Sequence, residues 1–111
     1  MLDLGIVIVN WNVRDLLAAC LDSVYADLAG SGLRATVIVV DNDSRDGSAE
    51  MLAAQFPRTR LIKAANRGMG AGNNLGLRAL GLGRGAEQVT PPFAALVLNP
   101  DTLVKTGALR G

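Results

Sequence analysis

The chain has 111 residues, about one domain's worth, and a chain of that length buries about two-thirds of its unfolded surface, enough for one modest core. Hydrophobic residues make up 50% and charged residues 19%, which excludes a disordered chain of low hydrophobicity. Lys plus Arg number 11 against 10 Asp plus Glu, a net charge of +1 that leaves no overall footprint for nucleic acid or anionic lipid.

Leu4-Gly-Ile-Val-Ile-Val9 is short, β-branched and continuously apolar, the pattern of a strand buried on both faces. Asn10-Trp11-Asn12 ends it. From Arg14 the period changes: Leu16, Leu17, Cys20, Leu21, Val24 and Leu28 recur at helical spacing, with Asp15, Asp22 and Asp27 between them. Asn12 suits the N-cap, and Gly30-Ser-Gly32 stops the helix. Ala35 to Val40 is a second buried strand that runs straight into Asp41-Asn-Asp-Ser44. Asp46 or Ser48 then caps a helix through about Phe56, closed by Pro57. Arg60 to Ala64 is a weaker third strand, and the glycine-rich turn Asn66 to Asn74 leads into a helix carrying Leu75, Leu77 and Leu80. Gly81 to Pro92 reads as a loop, and Phe93 to Leu98 as a fourth strand interrupted by Asn99-Pro100-Asp101. Gly107 to Gly111 reads as the opening of a further helix.

Strand and helix alternate throughout, which implies an α/β fold: a parallel sheet with helices on both faces. Right-handed crossovers place every strand's C-terminal end on one edge, where ligands of open α/β sheets bind. The residues leaving the four strands are Asn10, Asp41, Asn66 and Asn99 with Asp101. Asn and Asp clusters thus converge on one rim.

Cys20 is the only cysteine and the chain has no histidine. Disulfide frameworks, Cys-based zinc clusters, Ser-His-Asp and Cys-His catalysis and histidine switches are thereby excluded. Any chemistry falls to carboxylates, amides, Arg, Lys or a metal. Met1-Leu2-Asp3 has no cationic region before its apolar stretch, which argues against a signal peptide. No apolar run approaches the ~20 residues that span a bilayer. A cytoplasmic protein without a transmembrane segment is expected.

Each rim cluster has an ordinary structural use as well as a functional one. No glycine lies between Val9 and Gly30, so a dinucleotide fingerprint is absent, and Asn10-Trp11-Asn12 alone suits a turn and helix cap. Asp41-Asn42-Asp43-Ser44 puts two carboxylates at one strand exit, more than a turn requires, and such groups accept hydrogen bonds from a nucleotide's base and ribose. Gly68, Gly70, Gly72 and Gly76 fit no phosphate-loop pattern. They allow tight turning and close helix packing, or bring backbone N–H groups to a pyrophosphate, and both readings stand. Asn99-Pro100-Asp101 ends its strand, because proline cannot donate within a central ladder. Its amide and carboxylate suit Mg²⁺ or Mn²⁺ on a diphosphate, and an Asx-Pro turn has the same spacing.

Five stretches, IVIVNWN (Ile6 to Asn12), LLAACLDSV (Leu16 to Val24), VIVVDNDSRDGS (Val37 to Ser48), NRGMGAGNNLGL (Asn66 to Leu77) and LVLNPDTLV (Leu96 to Val104), together resemble the family 2 glycosyltransferases of the GT-A fold. The NPD block is most similar to rhamnosyltransferase-like members that decorate cell-surface polysaccharide. The resemblance implies a three-layer, Rossmann-like sandwich with a mostly parallel sheet, and it makes residues 1–111 the nucleotide-sugar-binding half of a truncated GT-A domain. It implies that Val9, Asn10 and Trp11 border the nucleotide, and that Asp41, with Asn42 and Asp43, holds base and ribose. Asn66 and the turn from Gly68 to Asn73, Gly72 included, would lie under the donor. Asp101, with Asn99, would bind Mg²⁺ or Mn²⁺.

The donor so implied is a UDP-, dTDP- or GDP-linked sugar, transferred with inversion to a saccharide acceptor while the metal offsets charge on the leaving diphosphate. Two departures accompany the resemblance. Asn99 stands in place of the first carboxylate of D-x-D, which removes a charge. The family's acceptor half and catalytic base lie beyond residue 111, so the expectation is a chain that binds donor without turnover. An end at Gly111 also predicts a bare strand edge, an apolar face and hence a two-fold homodimer. A non-catalytic α/β module acting through protein association is the competing reading. A phosphoacceptor receiver domain is disfavoured, because Asn10-Trp11-Asn12 supplies no acidic pair after the first strand.

Overall fold

A computed structural model describes residues 3–81, 94–105 and 107–110 of the chain. In chain order the elements are β1 (Leu4–Asn10), α1 (Arg14–Ala29), β2 (Ala35–Asn42), α2 (Ser48–Gln55), β3 (Arg60–Ala64), α3 (Met69–Ala79), β4 (Ala94–Leu98) and a 3₁₀ turn (Ala108–Arg110). Residues 82–92 of the expected loop, Phe93 and Gly111 lie outside the described residues.

All described strands pair in parallel, in the order β3-β2-β1-β4. The order reverses between β1 and β4, the arrangement that opens a crevice at the C-terminal strand ends. Register aligns Asn10 with Asp41, and Asp41 with Lys63, so three strand exits stand in a row.

Alternation along the strands divides the core in two. Ile6, Ile8, Val37 and Val39 pack against Leu17, Leu21 and Val24 of α1 and Leu52 of α2. Val7, Val9, Ile38 and Val40 face the other way, against Ala79 of α3 and the adjoining Leu80. This is the expected three-layer sandwich. Each such Ile, Val or Leu contributes about 1.5–3 kcal/mol on full burial, so the two β-branched strands at the centre anchor the fold.

The helix starts differ from expectation. Asn12 does not cap α1: it has a left-handed φ of 52°, and Val13 occupies the cap position without a side-chain bond. The Arg14 N–H instead donates to Asp46 Oδ2 at 2.8 Å. Asp46 Oδ1 accepts from the Ser48 N–H at 3.1 Å and the Ser48 hydroxyl at 2.5 Å, while Gly47, with φ of 85°, makes the turn into α2. One carboxylate therefore holds the starts of two helices, satisfying N–H groups that a helix leaves without internal partners.

The glycine-rich segment is also more helical than expected. Asn66 to Asn74 reads as a turn leading into a helix, yet α3 begins at Met69. A Cβ built on Gly72 would lie 2.7 Å from Val9 Cγ1, and one on Gly76 would press closer still on Val7. Close packing explains both glycines, and burial against β1 outweighs their poor helix propensity. Gly68 alone among these four has the left-handed φ, 92°, that favours glycine.

After β4 the chain runs back along α1. Val104 N–H donates to Ser23 Oγ at 2.9 Å, and buried Asp27 accepts from the N–H groups of Gly107 at 2.5 Å and Leu109 at 2.9 Å. The helix expected from Gly107 is thus a single 3₁₀ turn capped by Asp27.

Candidate functional site

The site begins where β1 and β2 end. Asn10 is fully buried, and its Nδ2 donates to Asp41 Oδ1 at 3.0 Å and to Ser44 Oγ at 3.2 Å. The Ser44 N–H donates to Asp41 Oδ2 at 3.1 Å, so both oxygens of that carboxylate are held. Ser44 Oγ also accepts from the Asn12 N–H at 2.9 Å, and Asn12 Oδ1 accepts from the Arg45 N–H at 2.7 Å. These bonds lash the β1–α1 and β2–α2 loops together. The Asn10 Oδ1 is buried without a partner, a cost of about 1–3 kcal/mol that a purely structural asparagine would not need to carry.

Asp41 opens onto a cleft of about 460 Å³ lined by Asp43, Ser44, Glu50 and Lys63. Its lining combines carboxylate acceptors with one lysine ammonium. Asp43 is exposed at a left-handed φ of 59°. Asn42, one residue along the pleat, points to the opposite face, where its Nδ2 donates to the Gly68 carbonyl at 3.3 Å. Asn66 is exposed and closes an Asx turn, accepting from the Gly68 N–H at 3.2 Å. Val9 sits in the α3-side core, whereas Trp11 is 53% exposed at the rim. Asn73 lies half-buried in α3 with an unpartnered Oδ1.

Asn99 and Asp101 occupy a separate turn beside α1. The Asn99 carbonyl accepts from the Thr102 N–H at 3.0 Å, the hydrogen-bonded turn that this spacing allowed. The Cys20 thiol donates to the same carbonyl at 3.9 Å, and its pKa is raised to about 11 by burial and then by the charge of Asp101. The two side chains are exposed. An amide and a carboxylate oxygen fit Mg²⁺ or Mn²⁺ when phosphates and waters complete the shell. Among the described residues no cluster of three or more acidic, His or Cys side chains forms a cage.

The structure therefore brings Asp41 and Asp43 to one cleft with Asn10 buried behind Asp41, sets Asn42, Gly68 and Gly72 on the α3 face, and holds Asn99 with Asp101 at the β4 exit. Sequence reasoning gave no role to Ser44, Glu50 or Lys63. For Lys63 a signal exists: parallel strands bring their C-terminal ends to one edge, and Lys63, next to last in β3, stands level with Asp41, next to last in β2.

A family model described as Glycosyl transferase family 2 matches residues 5–81. No curated protein matches the chain in sequence. Among solved structures, the mannosyltransferase PcManGT from Pyrobaculum calidifontis, in complex with GDP-Man and Mn²⁺, is similar with a TM-score of 0.59 and 24% identity over 69% of this chain. Residues 1–349 of S. aureus TarS are similar with a TM-score of 0.61 and 18% identity over 89% of this chain. The chain spans 24% and 27% of those two chains. The shared fold is the GT-A type.

Proposed function

Because the chain belongs to glycosyl transferase family 2, we propose that it is the nucleotide-diphosphate-sugar-binding portion of an inverting glycosyltransferase, of the rhamnosyltransferase-like type that builds cell-surface polysaccharide. The observation that carries this reading is the acid-lined cleft at the row of strand exits, with Asp41 fixed by Asn10 and Ser44.

In this reading Asp41 accepts hydrogen bonds from the base, and Asp43 and Asn42 complete the hold on base and ribose. Val9, Asn10 and Trp11 border the nucleotide. Asn66, Gly68 and Asn73 lie under the donor, while Gly72 sets how closely α3 approaches. Asp101 and Asn99 hold Mg²⁺ or Mn²⁺ against the diphosphate, and the neutral Asn99 weakens that hold. The metal supplies Lewis-acid stabilisation of the leaving diphosphate. A GDP-Man and Mn²⁺ complex of a protein with the same fold supports this class of ligand. The acceptor is a saccharide, and residues 1–111 by themselves bind donor without turnover.

The same proposal places the protein in the cytoplasm, at the inner face of the membrane. No helix among the described residues is long and apolar enough to cross one. It also makes the protein a homodimer through β4, whose outer edge has no strand among the described residues and beside which Val97 and Leu103 are 42% and 67% exposed.

Trp11 is the only tryptophan and gives the test. Its fluorescence is followed while UDP, dTDP and GDP are added with and without Mn²⁺. Saturable, Mn²⁺-dependent quenching by one of them is expected. Silence with all three, metal present, would leave the protein-association module as the better reading.

A further inference from the structure

The near-neutral total charge conceals a segregation. From residue 51 to residue 86 the sequence has no Asp or Glu, while it carries Arg58, Arg60, Lys63, Arg67, Arg78 and Arg84. Three of these converge. Lys63, Arg67 and Arg78 line a groove of about 440 Å³ between β3 and α3, together with Asn42 and Asn74. No carboxylate lines it, in contrast to the neighbouring cleft of Asp41, Asp43 and Glu50. Lys63, Arg67 and Arg78 make no ion pair among the described residues. The half-buried Arg78 is oriented by its Nε–H, which donates to the Asn74 carbonyl at 3.3 Å and leaves both terminal nitrogens for a ligand.

Uncompensated cations around a concave surface repel one another unless an anion joins them. Guanidinium forks match the oxygens of a phosphate, with charge-assisted bonds that neutral ligands cannot form. We infer that the groove between β3 and α3 is a phosphate-binding subsite, in which Lys63, Arg67 and Arg78 take a phosphoryl group that does not belong to the nucleotide. The separation from the nucleotide rests on the donor placement proposed above. Asp101 leaves β4, at the opposite edge of the sheet from β3. The groove shares Asn42 with the proposed hold on base and ribose, but three strand spacings put roughly 14 Å between the β4 and β3 edges, so a diphosphate held at Asp101 does not reach its β3 side. The ligand is a phosphate ester, carried either by a soluble acceptor or by a lipid headgroup.

The test uses the ¹⁵N-labelled 111-residue chain at constant ionic strength, because screening alone weakens exposed charges. Inorganic phosphate and phenyl phosphate are titrated alone, then with nucleotide and Mn²⁺ present. Shifts at Lys63, Arg67 and Arg78 are expected with phosphate, and those at Arg67 and Arg78, which do not line the Asp41 cleft, should be unchanged by nucleotide. R67Q/R78Q should weaken phosphate by about tenfold or more and leave nucleotide affinity alone. Co-sedimentation with phosphatidic acid vesicles but not phosphatidylcholine vesicles, lost in R67Q/R78Q, would assign the lipid source. Phosphate binding without vesicle binding would assign the soluble one. Displacement of phosphate by nucleotide, a requirement for Mn²⁺, or no shift at the groove would each overturn the inference. Failure of the donor reading looks different: nucleotide then gives no response, while phosphate still titrates the groove.

Discussion

Asn10 and Asp41 end adjacent parallel strands in register, and the Asn10 amide donates to the Asp41 carboxylate at 3.0 Å. Asp41 accepts on its other oxygen from the Ser44 N–H. An amide at this position cannot accept from both. Asp41→Asn should therefore cost about 1 kcal/mol of stability and weaken nucleotide binding, while metal binding at Asp101 stays as it was. Urea midpoints and calorimetric titrations read the two effects. Equal loss of nucleotide and metal would mean that Asp41 and Asp101 form one metal cluster.

Asp101 is exposed on its turn, so Asp101→Ala should leave the urea midpoint nearly unchanged. The same variant should abolish Mn²⁺-dependent nucleotide binding. Asn99→Asp restores a second carboxylate and should tighten Mn²⁺. Weaker Mn²⁺ binding in Asn99→Asp would show that this turn is not the counterpart of a D-x-D pair.

Two glycines six residues apart in α3 should respond to alanine with opposite signs. Gly76→Ala drives a methyl into Val7 and should destabilise by about 1–3 kcal/mol through overpacking. Gly70→Ala meets nothing within 4 Å and should stabilise by about 0.5 kcal/mol, by restricting the unfolded chain. Chemical denaturation of both variants decides. A neutral Gly76→Ala would show that α3 can lift from the sheet without cost.

The Asp46 carboxyl is pulled up by burial, but hydrogen bonds from the Ser48 side chain and the Arg14 and Ser48 N–H groups outweigh that pull and hold it below the ordinary 3.8. Its contribution to stability is therefore complete above 3.8 and is lost as pH falls through the lower folded value. Asp46→Asn should flatten that acid limb in a pH series of urea midpoints. Asp46→Ala, which uncaps two helices, should cost about 1–2 kcal/mol at neutral pH.

Much of this architecture is legible in the sequence, for identifiable reasons. The runs from Leu4 to Val9 and from Ala35 to Val40 are strands buried on both faces, so their apolar continuity announces them. The pairing of Asn10 with Asp41 follows from parallel topology, which brings strand exits to one edge. The start of α3 is hidden, because Gly70 and Gly72 read locally as turn residues and only contact with β1 makes them helical. Asp46 is legible as a cap of α2, and its second role is hidden in a different way. Its bond to Arg14 crosses 32 positions, and no local pattern marks a residue that caps a helix begun so far upstream. The cationic groove is invisible in the overall balance, because the stretch from residue 51 to residue 86 has cations and no carboxylate while most carboxylates lie before it.

The place of β1 has a consequence for amide exchange. It is flanked by β2 and β4 and covered by helices on both faces, so its N–H groups meet solvent only when the whole sheet opens. Exchange at Ile6 to Val9 should then be limited by global unfolding, and the slowest rates should rise with denaturant along the full urea dependence. β3, on the outer edge with Arg60 and Lys63 exposed, should exchange through smaller openings that denaturant barely accelerates. Deuterium uptake followed by NMR separates the two classes. If β1 took up deuterium as fast as β3, the sheet would be parting at its centre before its edge.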